Sequence, residues 1–330
     1  MKFRCLYLIF AALVIVVAVV VSVRTGGKKA SFEGESFQWP VMGTIAEFSS
    51  RDGRAYAVQE RDIVAEAFRE VERDLSVFAA GSLISRVNRG ETVRMSADTN
   101  LYQVLAFALD VAKTTSGAFD PTVNPLMRAW GFRGGTPAVP SAETLSNVLS
   151  VVGWRHVVLV AEGDLATLSL DVPGAELDLG GIAKGYAVDL AFERLRSAGA
   201  TNFMLNLGGN IRVSGSPSKE RSDWTVAVRD PSGKGICLRL PRPLKSGEAV
   251  ATSGSYERFV EIGGRRYSHI VDPRTGWSVE NGLGSVSVVA PSAMKADAYS
   301  TALFVLGETA GREVMPGNGD CEVLFVPETK

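Results

Sequence analysis

The stretch from Asp178 to Gly215, DLGGIAKGYAVDLAFERLRSAGATNFMLNLGGNIRVSG, restricts the fold more tightly than any other part of the chain. Ile182, Tyr186, Leu190 and Leu195 recur at roughly helical spacing. Gly199 follows where a left-handed stop is wanted, so the spacing predicts a helix with a defined end. Phe203, Leu205 and Leu207 then alternate as a strand does, and a second glycine turn closes it. Gly180 and Gly181 stand just before the helix, where unpaired N–H groups and the positive end of the dipole offer a seat for phosphate. Neither familiar phosphate fingerprint is met: there is no G-x-G-x-x-G, and although Gly180 and Gly185 have the Walker spacing, Tyr186 follows where lysine is required. Paired glycines at a helix entrance also serve as plain turn chemistry.

A chain of 330 residues with 46% hydrophobic content buries a large core, as one big domain or as two lobes. Its net charge of −1 and scattered Lys and Arg exclude nucleic-acid binding as the main function. The two histidines, His156 and His269, and the three cysteines, Cys5, Cys237 and Cys321, have spacings unlike any zinc site. Cys237 and Cys321 could pair in an oxidising compartment, which spacing does not decide.

The run Leu6 to Val23 is almost purely apolar, follows Lys2 and Arg4, and reaches the lower end of what spans a bilayer. It reads as an uncleaved signal-anchor over residues 1–24, because no small-residue cleavage site follows and Cys5 precedes the run. Residues 25–36, rich in Gly, Lys and Ser, form a polar tether, and 37–330 form the body.

Within the body, VMGTIAEFS reads as a first strand. Val64, Phe68, Val71 and Leu75 share one helix face, as do Leu101, Leu105, Leu109 and Ala112. Ser141 can cap a short helix through Leu149. Hairpins are expected from His156–Val160 with Leu165–Asp171, and from Trp224–Arg229 with Ile236–Leu240; further strands fall at Ala249–Ser253, Tyr256–Ile262 and Arg266–Val271. Long-range strands with irregularly interspersed helices predict an α+β fold of mixed, largely antiparallel sheets.

Ser292 caps a predicted helix from Ala293 to a stop at Gly307. Inside it Asp297 and Thr301, four apart, share a face, with Ser300 beside them. A carboxylate and a hydroxyl on a mostly buried helix need partners. Mg²⁺, which takes oxygen ligands and commonly bridges phosphates, is one; a neighbouring backbone group is the other. His269 precedes Ile270-Val271-Asp272-Pro273-Arg274-Thr275-Gly276 and is the histidine with polar company, so its neutral imidazole can take a proton from an attacking hydroxyl, with a titration near the ordinary value of about 6.5.

Taken together, DLGGIAKGYAVD, NLGGN, FDPTVNPL, SHIVDPRTG and KADAYSTAL resemble the FAD:protein FMN transferase (ApbE) family, over nearly everything from Met42 to Val326. The resemblance implies a two-lobed ApbE-like body and places Met42, Phe78, Ala118, Phe119, Asp120, Asp178, Lys184 and Val271 against FAD. It also implies Mg²⁺ held by the Gly181 carbonyl, Asp297, Ser300 and Thr301. The implied reaction moves FMN from FAD, a substrate here, onto a Thr or Ser hydroxyl of an acceptor protein as a phosphodiester and releases AMP. Acceptors in the family are extracytoplasmic threonines of membrane electron-transport subunits, which implies an inner-membrane anchor and a periplasmic body. Asn210 departs from the family's frequent Asp after Leu-Gly-Gly, and Gly81 and Leu83 depart from its commoner acidic residues. Two rival readings stay open: a Mg²⁺-dependent FAD pyrophosphatase, in which water replaces the acceptor, and a non-catalytic anchored flavin-binding module.

Overall fold

The computed structural model describes residues 34–229, 236–315 and 319–328. Fourteen strands and seven helices occur among them. The strands are β1 (Glu35–Val41), β2 (Thr44–Ser50), β3 (Val93–Ser96), β4 (Val157–Glu162), β5 (Leu165–Leu170), β6 (Phe203–Leu207), β7 (Asn210–Ser214), β8 (Ala227–Arg229), β9 (Ile236–Arg239), β10 (Ala249–Gly254), β11 (Phe259–Ile262), β12 (Arg265–Ser268), β13 (Leu283–Ala290) and β14 (Glu322–Pro327). The helices are α1 (Arg54–Leu75), α2 (Leu83–Asn88), α3 (Asn100–Thr114), α4 (Asn124–Ala129), α5 (Ala142–Leu149), α6 (Ala183–Ser197) and α7 (Ala293–Val314).

Alternation along the strands builds a seven-stranded sheet in the order β1-β2-β6-β7-β10-β13-β14, with every neighbouring pair antiparallel. Ala46, Phe48, Phe203, Leu205, Leu207, Ala251, Val286 and Val288 turn one face of it into the main core, against α1, α6 and α7. On the other face Val213, Val250 and Val289 pack with Trp224, Val226, Val228, Leu240 and Leu244. A third cluster of Leu126, Met127, Trp130, Leu145 and Val271 lies under the loop that follows β12. These clusters belong to one compact unit, Phe32–Lys330. The predicted anchor lies outside the described residues, and among the described residues no helix is long and apolar enough to cross a membrane.

The predicted helix 182–195, the caps at Ser141 and Ser292 and the hairpin β4–β5 all appear in the structure. Two expectations are corrected. VMGTIAEFS is not one strand: Met42 and Gly43 form the two-residue turn between β1 and β2, with φ of 50° and 67°. A turn of that hand matches the twist of the flanking strands. A Met in this left-handed region is held from both sides, since its N–H donates to Glu72 Oε1 (3.0 Å) and Arg258 donates to the Gly43 carbonyl (2.8 Å). Nor does the last helix end at Gly307. That residue leaves helical geometry (φ 77°, ψ 173°), but the chain resumes a helix to Val314, and Asn281 Nδ2 satisfies the Phe304 carbonyl at the break (2.6 Å).

Helices α6 and α7 touch over Gly185, where a Cβ would lie 2.3 Å from the Ala293 carbonyl oxygen and 2.8 Å from Asp297 Cβ. The start of α7 is tied to α6 in turn: Asp189 accepts from the Ala293 and Met294 amides (2.8 Å each) and pairs with Arg212 (3.0 Å). Gly185→Ala must therefore push the two helices apart. Its cost is expected at about 1–3 kcal/mol in chemical denaturation, the usual range for overpacking; an unchanged midpoint and slope would contradict this contact.

Candidate active site

The entrance of α6 is pinned before it turns into the helix. Asn88 forms a two-way pair with the Leu177 backbone (2.7 and 2.9 Å), and the Asp178 amide donates to the Pro121 carbonyl (2.8 Å). The buried Asp178 carboxylate accepts from the Gly180 amide through Oδ1 (2.8 Å) and from Arg133 through Oδ2 (2.7 Å from Nε, 2.6 Å from Nη2). Gly181 is wedged between Phe119 and Thr301: a Cβ there would stand 3.2 Å from the Phe119 ring and 3.3 Å from Thr301 Oγ1. The glycine pair is thus a close approach of backbone to two neighbouring elements.

From α7, Asp297 faces the first turn of α6. Its Oδ2 accepts from the Gly185 amide (3.0 Å) and lies 3.5 Å from Lys184 Nζ, which also donates to the Gly180 carbonyl (3.0 Å). Its Oδ1 has no protein partner among the described residues. Ser300 donates to the Asp297 backbone carbonyl (2.9 Å), while Ser253 on β10 lies 2.8 Å from Ser300 Oγ and 3.2 Å from Thr301 Oγ1. Ser300 is fully buried in this hydroxyl network, whereas Thr301 is partly open.

His269 follows β12, close enough to Lys184 and Arg133 to feel their charges. Its Nδ1 lies 2.9 Å from the Arg258 carbonyl, which can only accept, so Nδ1 carries the proton of the neutral ring and Nε2 keeps the lone pair. His269 is half-buried; desolvation by the surrounding protein pushes its pKa down to about 4, with the charges of Arg258, Lys184 and Arg133 acting the same way and the Arg258 carbonyl opposing. The titration near 6.5 expected from sequence alone is corrected by that setting. Glu257 is pushed up to about 7 by desolvation, which the Lys184 charge opposes and the Asp297 charge reinforces. Three cations and the α6 N-terminus therefore converge on one cleft.

The other expected residues divide by what their side chains do. Phe78 is 75% exposed and lies under the Arg133 guanidinium, 5.4 Å from it. Met42 sits in the strained turn that Arg258 braces. Ala118 and Phe119 are buried, the latter against Gly181. Asp120 holds its own turn, accepting from the Thr122 amide (2.8 Å) and hydroxyl (2.6 Å), and ties it to a remote segment by accepting from the Trp154 amide (2.8 Å). Val271 packs its side chain among Leu126, Trp130 and Leu145, so only its backbone is available to a ligand. Sequence reasoning missed Arg133, Ser253, Glu257 and Arg258, because each acts through a partner distant in the chain.

A helix N-terminus ringed by Lys184, Arg133 and Arg258 defines a protein of the α+β class whose cleft suits an anionic, phosphate-bearing ligand. The chain belongs to the ApbE family, which matches residues 42–325. It is 33% identical to the FAD:protein FMN transferase of Haemophilus influenzae, over 83% of this chain and 81% of that protein. Among solved structures it is similar to the flavin transferase ApbE from Vibrio cholerae, with a TM-score of 0.77 at 32% identity, covering 90% of this chain and 95% of that one. The ApbE protein of Thermotoga maritima superposes with a TM-score of 0.79 at 31% identity, covering 89% and 94%.

The depressed histidine makes a measurable prediction. In ¹⁵N NMR of the ligand-free protein at neutral pH, the His269 ring should show the Nδ1–H neutral tautomer and titrate only near pH 4, with His156→Gln used for assignment. Since its unfolded value is about 6.5, His269 contributes stability that is present above that pH and lost as pH falls toward the folded value. A ring that titrates near 6.5 in the folded protein overturns the burial argument.

Proposed function

We propose that this protein transfers FMN from FAD to a threonine or serine hydroxyl of an acceptor protein. The observation that carries the reading is the meeting, in one cleft, of an anion-seating helix entrance with a histidine whose Nε2 is free to take a proton. The Lys184 and Arg258 charges and the positive dipole end of α6 draw the pyrophosphate. Phe78 and Met42 offer aromatic and apolar surface to the flavin and adenine. The acceptor oxygen attacks the phosphorus on the FMN side, its proton passes to His269 Nε2, and the bond from that phosphorus to the bridging oxygen breaks with its electron pair leaving on AMP. No redox change occurs, so FAD is consumed as substrate.

Among the described residues no cluster of three or more His, Cys, Asp or Glu side chains is gathered for a metal. The donors present fit Mg²⁺ in a phosphate complex: one carboxylate with Oδ1 unclaimed by protein, the Thr301 hydroxyl and the Gly181 carbonyl, with the remaining positions left to water and phosphate oxygens. When bound there, Mg²⁺ neutralises charge on the pyrophosphate. Ser300, already donating to the Asp297 carbonyl, supports this set from within the helix.

We also propose that the apolar run Leu6–Val23 anchors the chain in the inner membrane with the body in the periplasm, where the acceptor is an electron-transport subunit. Protease added to intact spheroplasts should then digest the body; survival until lysis would reverse the topology.

The decisive experiment incubates the purified protein with FAD, Mg²⁺ and candidate acceptors, following acceptor mass and AMP together. A mass gain equal to an FMN phosphodiester on threonine or serine is expected, lost in His269→Ala while FAD binding persists. Asp297→Ala should lower the Mg²⁺-dependent rate by about two orders of magnitude or more, several kcal/mol of lost charge stabilisation. AMP and free FMN with no mass gain on any acceptor identifies a pyrophosphatase instead, and neither product identifies a binding module.

A further inference from the structure

Four buried side-chain oxygens, in Glu60, Asn124, Asn210 and Ser285, have no hydrogen-bond partner among the described residues. Glu60 and Asn124 lie on α1 and α4. Ser285 lies on the sheet face away from the helices, because its neighbours Val286 and Val288 face the main core. Asn210 lies on β7, opposite the core residue Leu207 on the sheet face toward the helices. It is 2% exposed, and its Nδ2 donates to the Leu207 carbonyl (3.3 Å), which settles the amide orientation and makes the orphan Oδ1 an acceptor.

Its place in the fold follows from how α6 runs over β7. Arg196 reaches the Ser214 hydroxyl (3.4 Å), and both Asp189 and Glu193 pair with Arg212 (3.0 and 3.1 Å). Ser214, Arg212 and Asn210 alternate onto one face of β7, toward α6, while Val213 faces the opposite cluster. Two residues back along a strand is about 6.6 Å, the length of about four helical residues. That step brings the Gly185 turn of α6 over Asn210, and the Gly185 amide is the one Asp297 holds. On the adjacent strand, Ser253 of β10 shares this face and reaches Thr301. The orphan acceptor therefore lies on the sheet face beneath the α6–α7 contact that holds Asp297.

We propose that Asn210 is a positioning residue for the divalent cation: its Oδ1 accepts a hydrogen bond from a water molecule on the ion. The inference rests on the cation reading given above. It supplies the donor that a buried, fixed amide oxygen requires beside the core residues Leu205, Leu207 and Ala251.

The test uses Mn²⁺ alone as probe, titrated into the purified full chain and followed by the EPR signal of the free ion. Asn210→Ala should weaken Mn²⁺ binding by about tenfold or more, as loss of a partner outside the ligand set usually does, and Asn210→Asp, which places a negative charge beside the ion's water, should tighten it. A purely structural amide predicts no tightening. Unchanged affinity in Asn210→Ala, verified as folded by its melting temperature, overturns the proposal; should that variant not fold, an Asn210→Asp affinity equal to or weaker than wild type overturns it. Asp297→Ala separates the two levels: Mn²⁺ binding that survives it, or wild type that binds none, refutes the cation reading itself and this inference with it.

Discussion

The hydrogen bond from the Gly185 amide to Asp297 joins the two helices that form the site, and it exists only because position 185 has no side chain. With the helices at that distance, the carboxylate of α7 lies at the first turn of α6, beside Lys184 and facing the Gly181 backbone. The same contact is locked further along by Asp189, which ties the first amides of α7 to α6 and, through Arg212, to the sheet. Three elements thereby meet with little freedom to slide, which is what a phosphate-handling site needs if positioning supplies most of its chemistry.

Charge in the cleft is arranged in opposition. Arg133 is committed to Asp178, and Lys184 is shared between Asp297 and the Gly180 carbonyl, so both cations are held in place before any ligand arrives. The histidine, by contrast, is kept neutral by the same cations and by its surroundings. A base that stays deprotonated next to an anion site avoids the usual conflict, in which the bound anion would favour the imidazolium. Arg258 links these functions, since its carbonyl fixes the His269 tautomer while its guanidinium braces the Met42-Gly43 turn.

Much of the fold was legible in the residues. The amphipathic spacing of α1, α3 and α6, the serine caps of α5 and α7 and the Gly163 turn of β4–β5 are local signals, and local chemistry satisfied them. The first strand was misread because a left-handed Met is braced by Glu72 and Arg258, both remote in sequence. The helix break at Gly307 was read as an end because the partner that lets the helix resume, Asn281, belongs to another segment.

By itself the sequence determined the α+β class, the helix that opens at the glycine pair and, through five motifs, membership of the ApbE family. Hydrophobic period and glycine placement are properties of neighbouring residues, so they are readable without the fold. Which polar groups spend themselves on structure and which stay free was decided only in three dimensions. Asp120 is held by its own turn and by the Trp154 amide, Asp178 is paired with Arg133, and Ser300 is absorbed into a hydroxyl network, whereas among the described residues Asp297 keeps one oxygen and Asn210 one buried acceptor without a protein partner. Hydrogen-bond capacity is a property of what surrounds a group, and for these residues the surroundings come from strands and helices that meet only after folding.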